Sequence, residues 1–417
     1  MAESANSTLA GRAAFAHPDF VRFQRARFFI VITLEMQSVA VGWQVYEITK
    51  RPLDLGLVGL AQFLPGILLF LLSGQAVDRF DRRKLLTLCY GGFGLCSGLL
   101  LGIARHGVHS AYPIYAVIAL VGAVRSLNGP TAQAILPQLV PEQHFPNAVA
   151  WNASIFQTAT ILGPAIGGLL YAFSHGPSAV YGTASLIAVA SMLSTLRIKP
   201  RTTRRLRQEI SLTTVLAGFR YIWQQKLILG SISLDLFAVL LGGAVALLPV
   251  YAREILRTGP WGLGLLRSAP GVGAVAMAIL LAHRPVRRRA GATMLWCVTG
   301  FGVFTILFGI SHSLLLSMLA LALVGASDMV SVIIRATFLQ LGTPDEMRGR
   351  VNAVDMIFIG SSNQLGQFES GVTAQWFGTV PAVLLGGAGA IVVTLLWAWL
   401  FPELRKAEDV GSLENLS

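Results

Sequence analysis

The chain has 417 residues, of which 54% are hydrophobic and 12% are charged, and its mean hydropathy is +0.64. Soluble domains carry about 25% charged residues, so this composition excludes an ordinary soluble protein and is typical of a chain embedded in a bilayer. The net charge of +12 is also found in nucleic-acid-binding proteins, but the positions of the basic residues, described below, leave nothing for nucleic acid to explain.

Twelve apolar segments follow one another along the chain, each long enough for a spanning helix of about 20 residues. Glycine and proline interrupt several of them, which membrane helices tolerate, and the alternating pattern of a membrane β-barrel is absent from the sequence. Because the first segment has full helix length, we expect it to be retained rather than cleaved. The segments are 27–48, 55–77, 85–104, 112–137, 147–173, 178–198, 227–252, 261–283, 291–310, 313–340, 349–377 and 380–402.

Lysine and arginine are distributed unequally between the two sides of these spans. Of the 32 basic residues, 24 fall on one side and five on the other. The side with 24 holds both termini, the 78–84 loop, the central 197–226 stretch and the later loops, one of which contains Arg287 and Arg288. Since basic loops stay in the cytoplasm, we expect both termini and the central stretch to be cytoplasmic.

The central stretch divides the chain into two similar parts. Leu212, Val215, Leu216, Phe219 and Ile222 follow three- and four-residue steps, which predicts an amphipathic helix on the cytoplasmic surface, although a plain tether is the alternative. The predicted parts are a cytoplasmic segment 1–24, a six-helix bundle 25–198, the linker 199–226, a second six-helix bundle 227–403 and a cytoplasmic tail 404–417.

The two bundles repeat each other in sequence. The run 120–123 recurs as 323–326, an offset of 203 residues that also relates Gly163 to Gly366. Two parallel repeats of six spans are related by an axis along the membrane normal, and a path between such bundles is the geometry of a transporter. Further pairs, with an offset of 205 residues, are Gly59 and Gly264, Pro65 and Pro270, and Gly66 and Gly271.

The loop after the second span reads Gly74-Gln75-Ala76-Val77-Asp78-Arg79-Phe80-Asp81-Arg82-Arg83. It resembles the Gly-x-x-x-Asp-Arg-x-Gly-Arg-Arg/Lys motif of the major facilitator superfamily, with Asp81 in place of the second glycine. The resemblance implies an all-α integral membrane fold of twelve transmembrane helices in two pseudo-symmetric six-helix bundles. It also implies that this loop is a gate latch, formed by Gly74, Asp78, Arg79, Arg82 and Arg83. An ordinary basic cytoplasmic loop is the alternative, in which Asp78 caps a helix or pairs with an arginine.

Sequences in the fourth and fifth spans resemble two further motifs of that superfamily. Arg125-Ser126-Leu127-Asn128-Gly129 is similar to Arg-x-x-Gln-Gly, whose arginine the family links to proton transfer, although Arg125 may instead be a structural partner of an acid. Gly163-Pro164-Ala165-Ile166-Gly167-Gly168 is similar to the antiporter motif Gly-Pro-x-x-Gly-Gly, which favours export over uptake. Read only as a glycine pattern, the second run indicates helix packing.

Acids inside the spans are the candidates for proton coupling. Burial favours the protonated form of a carboxyl group, and charges inside spans usually face a cavity or a partner. Glu35 is the first choice and Asp235, at the matching place in the second half, is the next, with Arg125 as the modulating cation. Glu369 is expected to line the path or to pair with Arg335 or Arg267. Candidate cavity residues are Gln37, Gln44, Asn128, Arg267, Asp328, Arg335, Asn363 and Glu369.

No catalytic or cofactor motif is found in the sequence, and the three cysteines have neither metal-ligand nor disulfide spacing. The segments 39–46 and 348–354 resemble the enterobactin-exporter-like branch of the superfamily, which includes siderophore and macrolide exporters. We therefore expect a monomeric transporter of the bacterial inner membrane, without cofactor or metal, whose partners are a small organic substrate, protons and membrane lipid. Proton-driven export by alternating access is the leading hypothesis. The alternatives are a solute uptake symporter and, from another class, a multi-span receptor or membrane enzyme.

Overall fold

The described part of the chain is built from α-helices. The computed structural model describes residues 12–107, 110–199, 212–286 and 289–407, and no strand occurs in these ranges. This confirms the predicted all-α class. Arg287, Arg288, most of the basic half of the linker and the outer parts of both tails lie outside the described residues.

Seven α-helices lie in the described part of the first half, and proline begins several of them. A proline in the first turn has no amide hydrogen to leave unpaired and has its φ already set for a helix, and this applies at Pro113, Pro146 and Pro177. The helices are α1 Pro18–Thr49, α2 Pro52–Leu68, α3 Phe70–Arg79, α4 Arg82–Arg105, α5 Tyr112–Ile135, α6 Phe145–Ser174 and α7 Pro177–Thr195.

The second half begins with the linker helix and contains one broken span. The predicted span 227–252 ends its regular helix at Leu241, and the chain continues through a 3₁₀ turn, Ala244–Leu247, and a π turn, Tyr251–Ile255. Gly242 and Gly243 occupy the break. The helices are α8 Leu212–Gln224, α9 Lys226–Leu241, α10 Gly259–His283, α11 Ala290–Ile310, α12 Leu314–Leu341, α13 Asp345–Phe377, α14 Thr379–Leu400 and α15 Pro402–Lys406.

Most of the predicted spans meet the requirements of a membrane helix. Nine described helices are long and apolar enough to cross a membrane, and a tenth span results if α2 is joined to Leu72–Arg79 across a 55° bend. The predicted spans 112–137 and 349–377 are also helical, as α5 and α13, but they carry more polar residues. The structure is therefore consistent with the predicted twelve helices.

Packing divides the chain into two compact units. Unit 1 comprises Met1–Val41 and Leu64–Ile210, and unit 2 comprises Gly42–Phe63 and Ser211–Ser417. The end of α1 and most of α2 thus belong to unit 2, although they lie in the first half of the sequence. Because this grouping follows packing rather than the repeat, the predicted bounds of the two bundles stay a prediction.

Glycines allow close helix contact in unit 2. A β-carbon added to Gly273 of α10 would collide with the Ala322 carbonyl oxygen of α12, and one added to Gly325 of α12 would collide with the Pro270 carbonyl oxygen of α10. The backbones of α10 and α12 therefore touch at two levels.

The linker helix α8 packs against the beginning of α13. A β-carbon on Gly218 would lie 2.6 Å from the Arg350 carbonyl oxygen, and the Tyr221 hydroxyl donates to the Gly342 carbonyl oxygen at 2.8 Å. Burial raises the pKa of the Tyr221 phenol, which favours its neutral, donating form. Ile222 is buried, whereas Leu216 and Phe219 of the predicted apolar face are exposed. The helix is thus as predicted, and its place on the membrane surface stays a prediction.

Candidate functional site

The glycine motif of α6 packs directly against the part of α1 that carries Glu35. A β-carbon on Gly163 would lie 2.5 Å from the Glu35 β-carbon and 3.2 Å from the Ile32 carbonyl oxygen. One added to Gly167 would lie 2.6 Å from the Met36 α-carbon. Pro164 and Gly168 are also buried. The motif therefore sets the distance between α6 and α1 at the level of Glu35.

Glu35 also faces the arginine of the fourth span. Arg125 Nη2 lies 4.0 Å from Glu35 Oε1, and the two side chains are 41% and 24% exposed. The structure thus brings together two of the three predicted coupling residues, within unit 1. An ion pair at this distance and exposure contributes little to stability, so breaking it costs little.

Asp235 lies in a different environment, in unit 2, where it pairs with an arginine of α12. Arg335 Nη1 donates to Asp235 Oδ2 at 2.7 Å and also lies 3.5 Å from Asp355 Oδ1 on α13. Both Arg335 and Asp235 are buried. Asp328, about two helical turns before Arg335 on α12, completes this acidic group. Asp355 was not among the candidate cavity residues, although its position inside a predicted span was a signal for it.

A cavity of about 250 Å³ lies inside unit 2 beside this group. It is bounded by the α9 break, by aromatic side chains of α11 and by a few polar side chains. Its polar lining includes Asp328, Asn363 and Gln367, and Gly242 and Gly243 add backbone groups. Small-molecule sites have this composition, a mostly apolar wall with a few placed polar groups.

The other predicted cavity residues occupy several environments. Gln37 is buried and accepts a hydrogen bond from Ser97 at 2.7 Å. Gln44 is also buried, and Asn128 has a buried side-chain oxygen without a hydrogen-bond partner among the described residues. Arg267 is half-buried on α10.

One expectation was that Glu369 pairs with Arg335, and the structure contradicts it. Glu369 accepts hydrogen bonds from Thr373 at 2.7 Å and Ser370 at 3.5 Å, both on its own helix α13. Arg335 is instead occupied by Asp235 and Asp355, which lie closer to it.

In the predicted latch loop, the capping residue is Asp81 and not Asp78. Asp81 Oδ1 accepts from the Lys84 amide at 3.1 Å and so begins α4 at Arg82. Asp78 and Arg79 are the last residues of α3, which Gly74 also belongs to. Arg83 Nη1 donates to the Ile198 carbonyl oxygen at 3.1 Å, and the Arg82 Nε is buried. An aspartate at the second glycine position therefore gives a helix cap in place of a flexible turn.

Sequence reasoning missed a polar cluster at the end of α1. The Tyr46 hydroxyl donates to Glu254, Arg253 Nη1 lies 3.5 Å from Glu47 Oε1, and the Arg253 guanidinium lies over the Trp43 ring at 5.5 Å. All of these residues belong to unit 2. No motif marked the cluster, because its members are about 200 residues apart in sequence.

Comparison with known proteins assigns this architecture to a family. The sequence model of a family described as transmembrane secretion effector matches residues 10–415. The chain belongs to the transmembrane secretion effector family. The predicted resemblance to major facilitator transporters is thereby confirmed, and the chain is a multi-span membrane transporter of a small molecule.

Relatives of this secretion effector include enterobactin exporters. Enterobactin exporter EntS of Shigella boydii serotype 4 (strain Sb227) is 28% identical over 398 residues, covering 94% of this chain and 93% of the relative. The Citrobacter koseri protein of the same name has the same identity and coverage. These relatives confirm the predicted branch of the superfamily and support a role in efflux.

Solved structures show the same fold at low sequence identity. A mutant of the nucleoside transporter NupG aligns with a TM-score of 0.72 and 12% identity, covering 92% of this chain and 100% of that one. A D-xylose–proton symporter aligns with a TM-score of 0.69 and 15% identity, covering 94% and 99%. At such identities the likeness shows the fold alone.

Proposed function

We propose that this transporter exports a small organic molecule, a siderophore or a drug-like compound, by alternating access driven by the proton gradient. The observation that carries the proposal is the similarity to enterobactin exporters along 94% of the chain. The glycine motif of α6 supports it, since in the superfamily this motif goes with antiport, and here it packs against Glu35.

The coupling and gating residues form part of this proposal. Glu35 is the first acid that the sequence suggests for proton binding and Asp235 the second, with Arg125 next to Glu35 as the modulating cation. Gly74, Asp78, Arg79, Arg82 and Arg83 are proposed as the latch that stabilises one of the two access states. We expect the substitution Asp78→Asn to slow turnover more than it weakens substrate binding, because the latch acts on the conformational equilibrium.

The orientation and assembly are proposed from the sequence. The 24 basic residues on one side and five on the other support cytoplasmic termini in a bacterial inner membrane. The protein is proposed to act as a monomer, with bundles 25–198 and 227–403 as its moving parts. Accessibility of terminal tags in spheroplasts tests the orientation, and a C-terminus reached from outside contradicts it.

Efflux from vesicles tests the proposal directly. Vesicles containing the purified full chain are loaded with enterobactin or a macrolide, and a pH gradient of either direction is imposed. We expect substrate release to accelerate only when the gradient drives protons into the vesicle, because an antiporter exchanges inward protons for outward substrate. Acceleration when the gradient drives protons out of the vesicle, in the same direction as the substrate, indicates a symporter instead. No response to either gradient contradicts proton coupling.

A further inference from the structure

Two carboxylic acids contact one guanidinium group inside unit 2, and a third lies beside them. Asp235 of α9 and Asp355 of α13 share Nη1 of Arg335, at 2.7 Å and 3.5 Å. The side chains of Arg335 and Asp235 are 4% and 8% exposed, so this pair has little contact with water. Asp328 precedes Arg335 on the same helix and is close enough to both Asp235 and Arg335 to interact with them electrostatically.

The charges of this group do not balance if every acid is ionised. Arginine stays protonated in proteins, so Arg335 neutralises one carboxylate. The helix α10, which packs against α12, carries a second cation, Arg267, one turn before Pro270, and even with both arginines counted one carboxylate remains. Among the described residues, α11 adds only apolar side chains to the same place, Val298 and Phe301. Buried, uncompensated charge is costly, and acids that share one site do not all ionise together. The group is therefore built to hold a proton on one of its carboxyls.

Asp328 differs from the other two acids in its contacts. Asp235 makes the short ion pair and Asp355 the longer one. None of the ion pairs or hydrogen bonds found among the described residues involves the Asp328 carboxylate. Its charge is therefore the least compensated of the three, which makes it the acid that gains most from a proton.

Asp328 also lies between two cavities. It lines the cavity of about 250 Å³, together with Asn363 and Gln367, and it lines a pocket of about 10 Å³ together with Asp235 and Ser331. The smaller pocket has room for about one water molecule. The Ser331 hydroxyl is buried and has no hydrogen-bond partner among the described residues, so it is available to such a water. Asp328 is thus reached from the cavity on one side and joined to the buried ion pair on the other.

We propose that Asp328 is the carboxyl group that takes up and releases the transported proton, in competition with a hydrogen-bond donor or cation of the substrate. This inference rests on the proposed proton-coupled export and assigns the proton site within it. A proton passes from cavity water to an Asp328 oxygen and returns to water when the substrate binds, so no other reactant is needed. Competition for one carboxylate makes the two bindings oppose each other, which antiport requires.

Glu35 is less suited to this role in the structure. Its side chain is 24% exposed and faces the partly exposed Arg125 across 4.0 Å. Asp328, in contrast, makes no ion pair or hydrogen bond among the described residues and lines both the cavity and the smaller pocket. We therefore assign to Glu35 and Arg125 a part in the conformational change of unit 1, and to Asp328 the proton.

Infrared difference spectroscopy on the full chain in vesicles tests the assignment. Spectra are compared between about pH 9 and about pH 6. Exposed acids titrate at about pH 4, so they do not contribute in this range. We expect wild type to gain a protonated-carboxyl band on acidification and Asp328→Asn to lose that band. Asp328→Glu keeps a band at a shifted frequency, and Glu403→Gln, at an exposed site paired with Lys226, keeps the wild-type band.

Transport by the same variants separates this inference from the proposed function. We expect Asp328→Asn to lose export driven by a pH gradient while keeping substrate exchange without a gradient. If Asp328→Asn retains the wild-type band, or retains gradient-driven export, Asp328 is not the proton site, and proton-coupled export by wild type is unaffected. If wild type shows no gradient-driven export, the proposed function fails, and the infrared band alone decides whether Asp328 binds a proton. If Asp328→Asn does not fold, the band position of Asp328→Glu decides.

Discussion

At the scale of single residues, the glycines of α6 are restricted by what lies opposite each of them. The added β-carbon of Gly167 meets backbone atoms of Met36 at 2.6 and 2.9 Å, which cannot move away as a side chain can. At Gly163 the nearest atom is the Glu35 β-carbon, at 2.5 Å, which is bonded to the backbone and cannot rotate away. Both positions of the motif therefore exclude a side chain.

We predict that Gly167→Ala lowers the free energy of unfolding by about 1–3 kcal/mol, the usual cost of overpacking. Gly163→Ala is expected to cost a similar amount, because the Glu35 β-carbon opposite it is also fixed to the backbone, and both variants should slow transport. Thermal unfolding in detergent measures the first effect. Gly102→Ala is the matched control, because its added β-carbon meets nothing within 4 Å. A Gly167→Ala variant as stable as Gly102→Ala contradicts this account of the α1–α6 contact.

Single residues were also the scale at which sequence was least informative. The sequence marked Asp235, Asp328 and Arg335 as polar residues inside apolar spans, which was enough to suspect them. It did not indicate that Arg335 forms ion pairs with Asp235 and Asp355. Nor did it indicate that Glu369 accepts hydrogen bonds from Thr373 and Ser370 of its own helix. Partner choice depends on helix rotation and relative height, and neither is encoded in hydropathy.

At the scale of elements, the beginning of α4 depends on a side chain that replaces a glycine of the superfamily motif. Asp81 has an extended backbone, with φ −61° and ψ 119°, and its carboxylate accepts from the Lys84 amide. This is the geometry of a helix N-cap, which satisfies one of the amides left unpaired in the first turn.

We predict that Asp81→Ala costs about 0.5–2 kcal/mol of stability, as loss of a cap usually does. Asp81→Asn should retain most of the stability, and Asp81→Gly, which restores the motif, should cost only a few tenths of a kcal/mol. Denaturation of the three variants under one condition gives the order. Equal stability of Asp81→Ala and Asp81→Asn means that the cap contributes nothing measurable.

The elements themselves were largely predictable. Every predicted span falls on described helices, although 55–77 is divided between α2 and α3 and the regular helix of 227–252 ends at Leu241. The linker helix, Leu212–Gln224, covers the residues at three- and four-residue steps. The break of α9 was not foreseen, because the residues after Gly243 are as apolar as those before Gly242 and hydropathy does not register a change of backbone geometry. The same break borders the 250 Å³ cavity, so the missed feature is part of the site.

At the scale of the whole molecule, residues Gly42–Phe63 pack with unit 2 although they lie in the first half of the sequence. A β-carbon on Gly56 would lie 3.0 Å from the Phe368 carbonyl oxygen, and one on Gly59 would lie 3.0 Å from the Gln367 β-carbon. Sequence placed these residues in the first bundle. In the proposed alternating access, we expect these contacts of α2 with α13 to form and break.

We predict that a disulfide between Gly59→Cys and Gln367→Cys stops transport. The two β-carbons are slightly closer than the usual separation of about 3.5–4.5 Å, so a small backbone shift is needed to form the bond. The pair is placed in a background without Cys89, Cys96 and Cys297. Oxidation should abolish efflux and a reductant should restore it, while the two single-cysteine variants stay active after oxidation. Full efflux by the cross-linked protein shows that this contact persists throughout the cycle.

The double backbone contact of α10 with α12 has a consequence for how unit 2 is able to rearrange. Gly273 against Ala322 and Gly325 against Pro270 leave no side chain between the two helices at these levels. Asp328 follows Gly325 by three residues, so it lies one turn beyond this backbone contact. The α9 break and α13 border the same cavity, and a larger side chain at Gly273 or Gly325 would push α10 and α12 apart and change the space around Asp328.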